Sequence, residues 1–138
     1  MSNLSHHCDG LILICMDWRL FQAGQILDQV KKTAGLNSAD VVALAGGTKN
    51  LIDEATQNII LKHVKLCQDL HQGQKIILTN HTDCGAYGQA GTEEKLIEDL
   101  RKGREIIKAN YPDMETVLIL IKVIEGEASW QTECQLVD

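Results

Sequence analysis

Four short apolar runs punctuate the chain: "GLILICM" (10–16), "DVVALAG" (40–46), "KIILTNH" (75–81) and "TVLILIKV" (116–123). Each is a nearly continuous block of Ile, Leu and Val, not an alternation of apolar and polar positions. That is the pattern of strands buried on both faces, and therefore of a parallel sheet covered by helices. The connecting segments carry helical periodicity. Between Leu20 and about Thr33, apolar residues fall at Ile26, Leu27 and Val30, with Gly35 as the stop. In the second connection Ile52, Ala55, Ile59, His63, Leu66 and Leu70 follow three- and four-residue steps from an Asn50 cap to a Gly73 stop. They predict a helix with that set as its inward stripe. The third runs from a Thr92 cap through Leu96, Leu100 and Ile107 and ends before Pro112, with Gly103 weakening its middle.

Strands alternating with helices in this order predict right-handed crossovers. The fold class is α/β: three layers built on a doubly wound, mainly parallel sheet of about four to five strands, Rossmann-like in character. No repeat, low-complexity segment or linker interrupts it, so residues 1–138 read as a single domain. Open sheets of this kind bind ligands beyond the carboxyl ends of their strands, where the winding reverses.

Composition narrows the function. A formal charge of −6 argues against nucleic acid or an anionic membrane surface as partner. The longest apolar runs fall far short of a membrane span, so a cytoplasmic location is expected. The five cysteines, Cys8, Cys15, Cys67, Cys84 and Cys134, are too sparse for a secreted disulfide scaffold, which leaves thiols free for metal or catalysis. Cys67 reads as a small buried hydrophobe, and Cys134 has no evident partner. The turn after the first strand has no glycine before Gly24, which excludes a dinucleotide cradle, and no Cys-x-x-Cys supports a redox dithiol.

Candidate chemistry sits at two strand ends. Cys15-Met16-Asp17-Trp18-Arg19 closes the first run, and His81-Thr82-Asp83-Cys84-Gly85 closes the third. Cys15, Asp17 and Arg19 share a face if the strand continues, and His81 and Cys84 are one turn apart. Two thiolates and an imidazole are donors that zinc prefers, and three protein ligands leave a fourth position open. Asp17 is placed to compete for it, and Arg19 can restrain Asp17 in a bidentate pair. Ala45-Gly46-Gly47 brings glycines to the same edge, where backbone can approach a ligand closely.

These residues resemble the zinc signature of the β-class carbonic anhydrases: Cys15-x-Asp17-x-Arg19 followed by His81-x-x-Cys84-Gly85, with Ala45-Gly46-Gly47 in the place of that family's glycine turn. The resemblance covers roughly residues 8–123. It implies a Zn2+ cofactor held by Cys15, His81 and Cys84, and an Asp17–Arg19 dyad in which Asp17 orients zinc-bound water or serves as fourth ligand. It also implies interconversion of carbon dioxide and bicarbonate through zinc-bound hydroxide, and a homodimer or higher homo-oligomer. Gly46, Gly47, Trp18 and Tyr87 are the expected substrate-pocket residues, with Phe21 and Gln22 as further candidates and Asp83 beside Tyr87 as a proton relay. Two departures stand out. Ala43 and Leu44 occupy the place of an Arg-Asn pair common in the family, and Trp18 replaces a small residue. They keep open two other readings: an inactive zinc-stabilised domain that binds small anions, and a related carbon disulfide or carbonyl sulfide hydrolase. The adjacent His6, His7 and Cys8 read as a solvated lead-in to the first strand, and His63 as a core or interface histidine.

Overall fold

The structure, a computed structural model, describes residues 5–22 and 24–138; positions 1–4 and Ala23 of the expected 1–138 domain lie outside the described residues. Its strands are β1 (Gly10–Ile14), β2 (Ala39–Ala43), β3 (Lys75–His81), β4 (Glu115–Glu125) and β5 (Trp130–Val137), and its helices are α1 (Trp18–Phe21), α2 (Ile26–Ala34), α3 (Lys49–Ile52), α4 (Glu54–His71) and α5 (Glu93–Asn110). The sheet order is β2-β1-β3-β4-β5. The first four strands are parallel, and β5 returns antiparallel to β4 at the edge. The chain winds outward from β1 to β2 and then crosses back to β3, so the winding reverses between β1 and β3. That is the switch point at which open α/β sheets place ligands.

Alternate residues of β1 serve the two covered faces. Ile12 and Ile14 join Ile26 and Val30 of α2, while Leu11 and Leu13 join Ile60 and Val64 of α4 and Leu100 and Ile107 of α5. Every residue of β1 is buried, which is why its sequence carries no polar alternation.

Three sequence expectations are corrected. The first helix is two: Gly24, at φ 74°, falls between α1 and α2. The second is also broken, because Asp53 takes an extended conformation between α3 and α4, with Thr48 rather than Asn50 at the start of α3. The inward stripe of α4 is Ile60, Val64 and Cys67, one position on from the expected set; Ile59, Leu66 and Leu70 stand exposed. Both stripes have helical spacing, so periodicity alone could not choose between them. The bend at Asp53 resets the phase of the helix after Ile52, and the face that meets Leu11 and Leu13 decides the matter. β5 carries alternating half-buried and exposed residues, as an edge strand with one solvated face does, and lacks the aliphatic block that marked the others. Cys134, on that strand, lies 4.0 Å from Gln29 Oε1.

α5 forms as expected, with the Thr92 hydroxyl accepting from the Lys95 amide at 3.2 Å. Gly103, in its middle, packs closely against Thr48 and against Leu78 of β3. A Cβ there would come within 2.7 Å of Thr48 Cγ2 and 3.0 Å of Leu78 Cδ1. Thr48 cannot turn aside, because its hydroxyl donates to the Thr79 carbonyl at 3.0 Å and its amide to Asn80 Oδ1 at 3.1 Å. Gly103→Ala gains about 1 kcal/mol of helix propensity and meets an overpacking cost of about 1–3 kcal/mol. Net destabilisation of about 1 kcal/mol is expected, read as a lower urea midpoint at unchanged m-value; a raised midpoint would refute the close-approach account.

Candidate metal centre

β1 and β3 lie side by side in parallel register, from Gly10 opposite Lys75 to Leu13 opposite Leu78, so their carboxyl ends reach the same rim. Cys15 leaves the end of β1 and His81 the end of β3. The chain then turns back through Asp83, whose φ of 56° is left-handed, a conformation Asp tolerates better than most residues. This turn brings Cys84 round beside His81. Cys15 Sγ and Cys84 Sγ are 4.0 Å apart. The donor atoms of Cys15, His81 and Cys84 all lie within 4.8 Å of one another, and all three residues are buried.

His81 Nδ1 sits 2.7 Å from the Thr82 carbonyl, which fixes that nitrogen as the N–H donor and leaves Nε2 with a lone pair. Nε2 is buried and has no hydrogen-bond partner among the described residues. A buried nitrogen without a partner is costly unless something else satisfies it. It points at the two sulfurs, and a divalent cation held by two thiolates and an imidazole resolves all three groups at once. Among the pair of thiols, Cys15 is the one driven toward thiolate. The hydrogen bond from Cys84 lowers its pKa, against the effect of burial, with further help from His81 and the Gly46 amide. Cys84 is pushed up by Cys15 and by burial. Burial by itself would lower the pKa of His81, but the neighbouring Cys15 sulfur, the bond to the Thr82 carbonyl and the Asp17 carboxylate raise it on balance.

Asp17 caps α1 by accepting from the Arg19 amide at 2.9 Å. The guanidinium of Arg19 grips the same carboxylate, with Nε 3.2 Å from each oxygen and Nη2 2.7 Å from Oδ2. These bonds hold the Asp17 carboxyl below the usual carboxylate range and push the Arg19 pKa up. Arg19 is itself braced from two sides: it donates to Asp83 Oδ2 at 2.9 Å and to the Asp83 carbonyl at 2.8 Å, and it lies 5.0 Å over the Trp130 ring. Asp17 Oδ2 is thereby fixed 3.7 Å from His81 Nε2, at the edge of the donor cluster.

The glycine turn acts from beneath. The Gly46 amide lies 3.4 Å from Cys15 Sγ as its donor. Gly47, at φ 51°, passes so close to β3 that a Cβ would come within 2.6 Å of the Thr79 carbonyl oxygen. A cleft of about 680 Å³ opens over the cluster, walled by Cys15, Met16, Asp17, Trp18, Arg19, Ala45, Asp83, Gly85 and Ala86.

Of the expected pocket residues, Trp18 lines this cleft, 64% exposed at its mouth. Gly46 and Gly47 lie behind Cys15 instead of in the wall, and Ala45 faces the cleft in their place. Tyr87 is turned away from it: its hydroxyl donates to buried Asp99 at 2.8 Å and accepts from Asn80 Nδ2 at 3.3 Å. This burial raises its pKa, as does the bond to Asp99. Phe21 and Gln22 also lie outside the cleft wall. Sequence reasoning missed Asn80, which joins the Thr48 amide, the Leu96 carbonyl and Tyr87 and so ties both loops to β3. A polar residue inside an otherwise aliphatic run was its only signal. Trp130 was missed with β5.

The sequence profile of a family described as "Putative carbonic anhydrase" matches residues 5–133. An uncharacterized protein of Rickettsia bellii (strain RML369-C) is 33% identical over 89 residues, which make up 62% of this chain; the chain spans about half, 52%, of that curated relative's length. Among solved structures, the fold is similar to a carbonic anhydrase from Streptococcus mutans, with a TM-score of 0.65 at 17% identity over 100% of this chain and 87% of that one. A carbonic anhydrase from Glaciozyma antarctica gives a TM-score of 0.53 at 17% identity, covering 82% and 75% of the two chains. The apo form of a carbon disulfide hydrolase gives a TM-score of 0.51 at 18% identity, covering 85% and 76% of the two chains.

Gly47→Ala should destabilise the fold by about 2–4 kcal/mol, from left-handed backbone strain together with the clash against β3. Denaturant unfolding measures it, and a loss below about 1 kcal/mol would show that the turn can shift. With the profile match spanning nearly the whole chain and the fold in agreement, the chain belongs to the carbonic anhydrase-like family so described.

Proposed function

We propose that the protein is a zinc-dependent hydratase that interconverts carbon dioxide and bicarbonate. The observation that carries this reading is the convergence of Cys15, His81 and Cys84 around a buried, unpartnered imidazole nitrogen. Zinc bound by these three residues would supply a Lewis acid able to lower the pKa of a coordinated water from 15.7 to about 7.

The chain's own residues do the rest. Cys15 and Cys84 give the site its negative charge, and the Thr82 carbonyl keeps His81 in the tautomer that presents Nε2. Asp17, gripped by Arg19, stands beside the three donors with Oδ2 as an acceptor that would orient a water in the cleft. The same grip restrains Asp17 from closing the site as a fourth ligand. Met16, Trp18, Ala45 and Ala86 give the cleft an apolar side suited to a small uncharged substrate, and Arg19 is the cation nearest to a product anion. Met16 and Trp18, 65% and 64% exposed at the mouth, support a homodimer or larger homo-oligomer in which a second copy covers them.

A second reading, hydrolysis of carbon disulfide or carbonyl sulfide, is favoured by that apolar mouth and by Ala43 and Leu44 where many carbonic anhydrases carry Arg-Asn. The same site without turnover would make a small-anion binding domain.

Stopped-flow hydration of carbon dioxide tests the main reading. Zinc-loaded wild type should accelerate hydration, Cys84→Ser should abolish it, and Arg19→Ala should lower kcat/KM by about 10–100-fold as Asp17 is released toward the ligand position. A zinc-loaded wild type with no hydration between about pH 7 and 9 would rule out this activity. Turnover of carbon disulfide in its place would select the second reading.

A further inference from the structure

At the opposite rim, where the strands begin, a second set of metal-ligating side chains converges. Cys8 lies two residues before β1, Asp40 lies in β2 opposite Leu11, and Cys67 and His71 stand four residues apart at the end of α4. Cys8 Sγ is 3.7 Å from Asp40 Oδ2 and 4.0 Å from Cys67 Sγ, and His71 Nδ1 is 2.7 Å from the same Asp40 oxygen. The donor atoms of Cys8, Asp40 and His71 all lie within 4.8 Å of one another, and Cys67 Sγ adjoins this group beside Cys8.

A plain Asp40–His71 ion pair beside a buried thiol is the simpler description. It leaves unexplained why one thiol lies against that carboxylate and a second, from a distant part of the chain, packs against the first. Their separation of 4.0 Å equals that of Cys15 and Cys84 in the first centre. It is also close to the ~3.8 Å between sulfurs of a tetrahedral site with Zn–S near 2.3 Å. The framework around the group is fixed by backbone: the Cys8 amide donates to the His71 carbonyl at 2.9 Å, and the Gln72 and Gly73 amides close α4 on the carbonyls of Gln68 and Cys67. A Cβ on Gly73 would collide with Cys67 Sγ, so the glycine leaves the thiol its room. Asp40 and His71 are about one-third exposed, which gives an ion an entry path.

We propose that Cys8, Asp40, Cys67 and His71 form a second, structural site for a zinc-class divalent ion. Two thiolates with one imidazole and one carboxylate are a tetrahedral set that selects zinc over magnesium or calcium. Four protein ligands leave no open position, so this site holds structure and does no chemistry. Binding forms two metal–thiolate bonds and releases both thiol protons to solvent. It pins the segment before β1 to β2 and to the end of α4. His6 and His7, exposed beside Cys8, take no part in it.

The test is metal stoichiometry on the full chain, stripped with chelator under reducing conditions and titrated with zinc or with cobalt as a spectroscopic probe. Wild type should bind two ions per chain. Cys84→Ser should keep one, with a thiolate-to-cobalt charge-transfer band. Cys8→Ser with His71→Ala should also keep one, now at Cys15, His81 and Cys84. In wild type, whose folding no substitution disturbs, zinc should slow alkylation of Cys8 by about tenfold or more, followed by peptide mass mapping. No ion retained by Cys84→Ser together with unprotected Cys8 in zinc-loaded wild type overturns the proposal. A single ion per chain that survives Cys84→Ser and vanishes in the Cys8–His71 variant would uphold this site while removing the metal from the first, so the two readings fail separately.

Discussion

The pairing of β1 with β3 is the constraint on which the rest of the molecule depends. It is a contact between strands separated in the chain by β2 and the helices on either side of it, and it sets the point where the winding reverses. The approach is close at both ends. At the start, a Cβ on Gly10 would strike the Lys75 carbonyl. Near the carboxyl ends, the Thr79 hydroxyl donates to the Leu13 carbonyl at 2.8 Å, and the Thr79 carbonyl in turn receives the Thr48 hydroxyl. The two strands are thus tied at the level of the candidate donors Cys15 and His81. A slip of one residue would send Cys15 and His81 to different levels and turn buried side chains to the wrong face.

On this frame Arg19 organises charge. Its guanidinium binds both oxygens of Asp17, reaches the backbone and side chain of Asp83, and rests on Trp130, so three segments of distant sequence meet at one cation. Ion pairs such as Lys65–Asp69 and Lys102–Glu98 lie on exposed helix faces where water screens them. The Arg19–Asp17 pair is different, because both side chains are about one-seventh exposed and the hydrogen bonds are multiple. Its consequence is directional: it fixes where a carboxylate stands relative to the buried donors.

The two donor clusters occupy opposite rims of the same sheet, and the physics of parallel strands accounts for this. All four parallel strands begin at one edge and end at the other, so loops gather chemistry-bearing side chains at two rims only. The rim at the carboxyl ends has the switch-point crevice and an open cleft. The rim at the amino ends is closed by the end of α4 and the lead into β1, and its donors point inward on one another.

The sequence by itself determined the α/β class, the four parallel strands, the capped α5, and the grouping of Cys15, Asp17, Arg19, His81 and Cys84 at one edge. These follow from local rules: unbroken aliphatic runs mean strands covered twice, and residues just past such runs lie at the carboxyl rim. Tertiary structure alone decided which stripe of α4 faces inward, because Ile59 and Ile60 both extend apolar rows and only the bend at Asp53 breaks the tie. It also decided that Tyr87 belongs to a buried network with Asn80 and Asp99, that Trp130 supports Arg19, and that Cys8 and Cys67 meet across 59 positions of chain. Such contacts join residues remote in sequence, and no periodicity within either segment records where the other will be.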